Sequence, residues 1–179
     1  MLKSIQSSLL CALLCLPLAA QDEPGRRLPS VTMAPAVVTI YRGKPGTVDL
    51  HFRVGAGFHV NSNTPTEEYL IPTTLKLEAP TDILIGKVTY PPGKDMSFAF
   101  APDQKLNVYS GDFAISVLVR PLASVLPGRY AVRGELKFQA CDNAACYPPK
   151  KMPVMFDVSV AKTPPPPRKN PGQSPHVHN

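Results

Sequence analysis

Between residues 47 and 54 apolar and polar side chains alternate without a break. Val48, Leu50, Phe52 and Val54 fall on one side, Thr47, Asp49, His51 and Arg53 on the other. A period of two is the mark of a strand with one face in a core. The pattern returns at Phe113, Ile115, Val117 and Val119, and at Tyr130, Val132, Leu136 and Phe138 against Arg133, Glu135, Lys137 and Gln139. It returns again at Met152, Val154, Phe156, Val158 and Val160. Shorter candidates lie at 36–41, 58–61, 70–78, 83–90 and 106–110. Turn signals such as Gly43-Lys44-Pro45-Gly46, Pro91-Pro92-Gly93 and Pro127-Gly128 separate them. No helical period emerges, and 22 prolines oppose helices. Seven to nine short antiparallel strands predict an all-β fold, an immunoglobulin-like antiparallel β-sandwich over residues 35–161.

The ends of the 179-residue chain do not fit that pattern. Residues 1–20 hold Lys3, an apolar run from Leu9 to Leu18, and small residues at Ala19-Ala20. This is the form of a secretory signal peptide cleaved near Ala20, too short for a permanent span. A lipoprotein signal ending at Cys15 is the alternative. Residues 21–34 read as an irregular leader broken by Pro24, Gly25 and Pro29. From Lys162 to Asn179, six prolines, four of them at 164–167, predict a semi-extended or disordered tail. That tail carries an isolated His176 and His178, which read as a solvated pair before a metal site. The exported chain is expected in the periplasm or an equivalent compartment, with no later membrane span. The net charge of +6 is scattered rather than gathered in an aromatic-laced stripe, so nucleic acid is not an expected partner.

Export changes what the cysteines mean. Of four, Cys11 and Cys15 leave with the signal, which leaves Cys141 and Cys146 where disulfides persist. They lie between the last two long strands, which should pair as a hairpin with the cysteines in its connection. Counted on from Gln139, Cys141 falls on the polar side of its strand, so its sulfur is expected to face solvent. Closing so short a loop is worth only about 2 kcal/mol. A redox pair needs proximity and access. Both a structural staple and a thiol–disulfide exchange pair remain open on these grounds.

The flanking residues narrow the choice. Leu136-Lys137-Phe138-Gln139-Ala140-Cys141, followed by Cys146-Tyr147-Pro148-Pro149, resembles the active-site segment of the N-terminal periplasmic domain of the thiol:disulfide interchange protein DsbD. Gly57-Phe58-His59-Val60-Asn61 is similar to that family's glycine–aromatic strand. The resemblance implies an exported thiol–disulfide exchange protein without a cofactor. It would take electrons from a membrane-embedded donor and pass them to periplasmic thioredoxin-fold partners. It further implies that Cys146 attacks the partner and Cys141 resolves, with Gln139, Tyr147, Pro148 and Pro149 as the flanking motif. Phe98 or Phe100, in the stretch Asp95-Met96-Ser97-Phe98-Ala99-Phe100, would shield the pair from a cap loop. Four residues separate the cysteines, one fewer than in the best-known members, and the chain lacks the transmembrane part of the long form, so donor and acceptor are expected in trans.

Two other readings stand beside it. One is a non-enzymatic binding module with a fixed disulfide. The other is a copper carrier using Met96, Met152, Met155 and His59 as soft ligands, although Met152 falls on an apolar face and reads as core. No metal site is expected under the leading reading. His51, on a polar strand face, reads as a surface histidine, and no hydrolase motif is present.

Overall fold

In the computed structural model, which describes residues 30–162, every long alternating segment becomes a strand whose apolar side chains turn inward. The strands are β1 (Val31–Met33), β2 (Val37–Tyr41), β3 (Gly46–Val54), β4 (His59–Asn61), β5 (Thr74–Glu78) and β6 (Ile83–Thr89). They continue as β7 (Lys94–Phe98), β8 (Ala101–Tyr109), β9 (Asp112–Pro121), β10 (Gly128–Phe138), β11 (Ala140–Cys141) and β12 (Lys150–Ala161). The first sheet has the order β1-β3-β9-β6 and the second β2-β12-β10-β5. Their inner faces share one core, with Leu50, Phe52, Ile115 and Val117 from the first and Val132, Leu136, Phe156 and Val158 from the second. This is the immunoglobulin-like sandwich that the alternation predicts.

Twelve strands form among the described residues where seven to nine were expected, and three further features depart from the expectation. Strand β1 lies inside the stretch read as an irregular leader, because Val31 to Met33 pair with Val54 to Phe52. Three residues are too few for alternation to register. The pairing of β2 with β12 is parallel, while the other strand pairs are antiparallel. Alternation carries the face of a strand but not its direction. Finally, the stretch expected to be a cap loop is mostly strand β7, with Ala99 and Phe100 turning into β8.

A third sheet, β11-β4-β8-β7, flanks the sandwich and has two unlike faces. Ala140, Val60 and Tyr109 stand in register across it and turn into the main core. On the opposite face stand Cys141 beside His59, and Asn61 beside Val108. A small second cluster of Leu70, Phe98, Leu106 and Val108 lies apart from the main core. A register shift between Met96 and Phe98 bends the end of β7, and Phe98 stacks on His59. Among the described residues no helix is long and apolar enough to cross a membrane. The signal-peptide segment, most of the leader, the proline run and the tail histidines lie outside the described residues.

Candidate functional site

The site begins where β10 stops. Strands β10 and β12 pair from Gly128 opposite Val160 to Phe138 opposite Lys150, so the cysteines do sit in the connection of a hairpin. At Gln139 the chain leaves the second sheet, and Ala140 and Cys141 join β4 of the third as β11. The Gln139 side chain braces this crossing: its Nε2 donates to the Tyr147 carbonyl (3.2 Å) and its Oε1 accepts from Asn61 Nδ2 (3.4 Å). Past the crossing a small turn folds back on itself. Tyr147 N donates to Ala140 O and Asp142 N to Ala145 O, each at 2.9 Å. Cys141 and Cys146 face each other inside that turn, their Cα atoms 3.9 Å apart, joined as a disulfide.

Asp142 holds the turn. Its Oδ1 accepts from the backbone of Ala144 and Ala145 (2.8 and 2.9 Å), and its Oδ2 from the Tyr147 hydroxyl (2.7 Å). An aspartate that binds the amides two and three residues on is a local turn device. The Tyr147 hydroxyl first, then the two amides, hold its carboxyl below the usual carboxylate range. Tyr147 also meets Phe58 edge to face. Pro148 and Pro149 follow in exposed positions and offer no amide hydrogen.

The two sulfurs are not equivalent. Cys141 is fully buried and Cys146 is exposed. The expectation that Cys141 faces solvent is therefore wrong. The count of alternating positions itself holds, since Phe138 and Ala140 turn into the main core and Cys141 to the other face. That face does not meet solvent, because His59 stands beside Cys141 there with the Phe98 ring stacked on it. Cys146 instead opens on a cleft of about 630 Å³, which it shares with Tyr69, Leu70, Phe100, Pro102, Gln104 and Gln139.

A stack of three rings stands over the buried side. The His59 ring lies 3.8 Å from that of Phe98 and nearly parallel to it, and Phe100 follows 5.6 Å from Phe98. Phe98 is buried at the foot of the stack, while Phe100, at the hairpin tip, is 37% exposed and lines the cleft beside Cys146. His59 is 3% exposed and its Nε2 has no hydrogen-bond partner. Burial lowers its pKa to about 4, against the pull of the Asp142 charge.

Sequence reasoning did not assign His59 a place beside the cysteines, nor Asp142 and Asn61 any role. The link between His59 and Cys141 depends on the pairing of β4 with β11, which lie 80 residues apart and share no local signal. His51 lies on the exposed face of β3, as its parity suggests. The proposed copper ligands are spread over β4, β7 and β12: Met152 packs on the main core and Met155 is exposed.

The family described as thiol:disulfide interchange protein DsbD, N-terminal, matches residues 27–157. No curated protein matches the chain. Among solved structures it is similar to the seventh ScaB type I cohesin from Pseudobacteroides cellulosolvens, with 14% identity over 78% of this chain and 96% of that one, at a TM-score of 0.45. It is also similar to a chain in the complex between the DsbD N-terminal and PilB N-terminal domains from Neisseria meningitidis, with 20% identity over 61% of this chain and 73% of that one, at a TM-score of 0.38.

Proposed function

This chain belongs to the DsbD N-terminal family, and on that premise we propose that Cys141 and Cys146 pass reducing equivalents to thioredoxin-fold proteins in the periplasm. The observation that carries the division of labour is the unequal exposure of the two sulfurs. An attacking thiolate must reach a partner's disulfide, and a resolving one need only reach the first. In the reduced protein the Cys146 thiolate attacks one sulfur of the partner's disulfide, and the partner's other sulfur leaves as a thiolate and takes up a proton. Cys141 then attacks Cys146 Sγ, the protein's own disulfide forms, and the partner's first sulfur leaves as a thiolate. Two electrons have moved to the partner. The oxidised pair returns to the dithiol at the expense of a donor dithiol, held in the membrane.

The cleft beside Cys146 is where the partner's disulfide would enter. Phe100, at its rim, is the shield that such a partner displaces, and Phe98 anchors that shield by its stack on His59. Gln139, Tyr147, Pro148 and Pro149 keep the turn in shape while its disulfide opens and closes.

Trapping tests the assignment. Mixed with the disulfide form of a thioredoxin-fold protein, reduced Cys141→Ala is expected to accumulate a mixed disulfide through Cys146, readable by mass on a non-reducing gel. Cys146→Ala is expected to give none. Adducts from Cys146→Ala alone would exchange the two roles. A wild-type disulfide that resists dithiothreitol while the protein stays folded would instead support the binding module with a fixed bond.

A further inference from the structure

One buried polar atom at the site has no use in the scheme so far. His59 is 97% shielded from solvent, and its Nε2 makes no hydrogen bond. It stands directly opposite Cys141 across the β4–β11 pairing. Residues opposed in this way project to the same face, with Cβ atoms roughly 4.5–5.5 Å apart. Imidazole and sulfur are therefore neighbours on the buried side of the third sheet.

Cys141 poses a chemical problem that Cys146 does not. A resolving thiol must lose its proton before it attacks, yet this sulfur has no exposed surface from which water could take it. Burial in apolar surroundings also makes a thiol harder to ionise. The nearest carboxylate, Asp142, is already occupied by the Tyr147 hydroxyl and two backbone amides. Asn61 Oδ1, two positions along the same face, is also without a partner, but an amide oxygen is not a base.

We propose that His59 Nε2 accepts the Cys141 thiol proton as Cys141 resolves the mixed disulfide. The inference rests on the exchange reading above. In the step, the Cys141 S–H bond breaks and an Nε2–H bond forms. The freed electron pair makes the bond to Cys146 Sγ. The bond from Cys146 to the partner breaks, and the partner's sulfur leaves as a thiolate that takes the proton from the imidazolium. The tautomer required carries its resting proton on Nδ1. The rings stacked with it, Phe98 and Phe100 of the β7–β8 hairpin, do not titrate, nor do Leu70, Leu106 and Val108, the cluster to which Phe98 belongs. Asp142, on the cysteine turn, is the charge that acts on it. With a pKa of about 4, the imidazole keeps its lone pair through the neutral range but holds a proton weakly, so the imidazolium forms only in passing as the proton moves on to the departing thiolate.

The test uses the reduced protein and one equivalent of 5,5′-dithiobis(2-nitrobenzoate), followed by stopped flow. Attack by Cys146 releases the first coloured thiolate and resolution by Cys141 the second. His59→Phe keeps a flat ring to stack on Phe98. It is expected to leave the first phase within about twofold and slow the second about 100-fold, the scale of a general base. In the wild type the second phase should be nearly flat from pH 5 to 8. In the variant it should climb about tenfold per pH unit, because only thiolate formed by solvent then reacts. A normal second phase in the variant, with the first intact, overturns the role of His59 alone. A wild-type second phase that itself climbs tenfold per unit does the same without any variant. A wild type that releases no first thiolate overturns the exchange reading, and this inference with it.

Discussion

Truncating Phe52 to alanine will destabilise the folded protein by about 3–5 kcal/mol, the range for a large aromatic removed from a packed core. Phe52 is 2% exposed and stacks on Phe113 at 5.3 Å, which stacks in turn on Tyr109 at 4.8 Å. The three rings join β3 and β9 of the first sheet to β8 of the third. Alanine would remove the buried area and leave a cavity, because β-strands paired on both sides cannot collapse into it. Denaturant unfolding will show the loss as a fall in midpoint with little change in slope. The same measurement on reduced wild type bears on function. Closing the five-residue separation between Cys141 and Cys146 restrains the unfolded chain by only about 2 kcal/mol. Reduction is therefore expected to cost less than Phe52→Ala, which leaves the disulfide free to open without loss of the fold. If reduction proves the costlier change, the bond is a staple and the exchange reading fails.

Lowering the pH from 7 to 4 will remove about 3 kcal/mol of stability through His59 alone. Its pKa in the folded protein is about 4, against an ordinary 6.5, because burial opposes the charge. Between those values the unfolded chain binds a proton at this position and the folded chain does not. Stability therefore falls as pH drops from about 6.5 to 4 and levels off below, and each pKa unit is worth about 1.4 kcal/mol. Asp142 acts in a lower window. Its carboxyl is held below the usual range, so the stability it contributes is lost as pH falls below the ordinary carboxylate pKa of 3.8. Unfolding free energies measured from pH 7 down to 4 will show the first slope in the wild type and lose most of it in His59→Phe. A variant with the wild-type slope would mean that other groups govern acid sensitivity.

The long strands were legible because each has one face in a core. Val48 to Val54 and Phe113 to Val119 alternate for that reason, and the structure buries the residues that the pattern places inside. The short strands were not. Val31–Met33 and Ala140–Cys141 hold three and two residues, below the length at which a period can be counted. The parity of Cys141 was right about its face and wrong about what lies there: local alternation cannot show that the β7–β8 hairpin brings a second apolar cluster and a ring stack to that side. The cysteine pair was legible from composition and the reading of residues 1–20 as an export signal, and its flanking residues from family resemblance. His59 was not, since a histidine in a short strand acquires meaning only from the residue across from it, and that register is set by the fold as a whole.

The two-faced third sheet divides the molecule into parts that need not come apart together. Through Ala140, Val60 and Tyr109 its inner side shares the fate of the sandwich, so the floor beneath the cysteines gives way only in global unfolding. The β7–β8 hairpin on the outer side is tied down by four buried side chains and a stack of rings. With β7 at the edge of its sheet and β10 paired on both sides, the amide protons of β7 are expected to exchange with deuterium well ahead of those of β10. The frequency of the hairpin's openings, set by how Phe98 and its neighbours grip one another, then sets how often the buried face that carries Cys141 and His59 meets solvent.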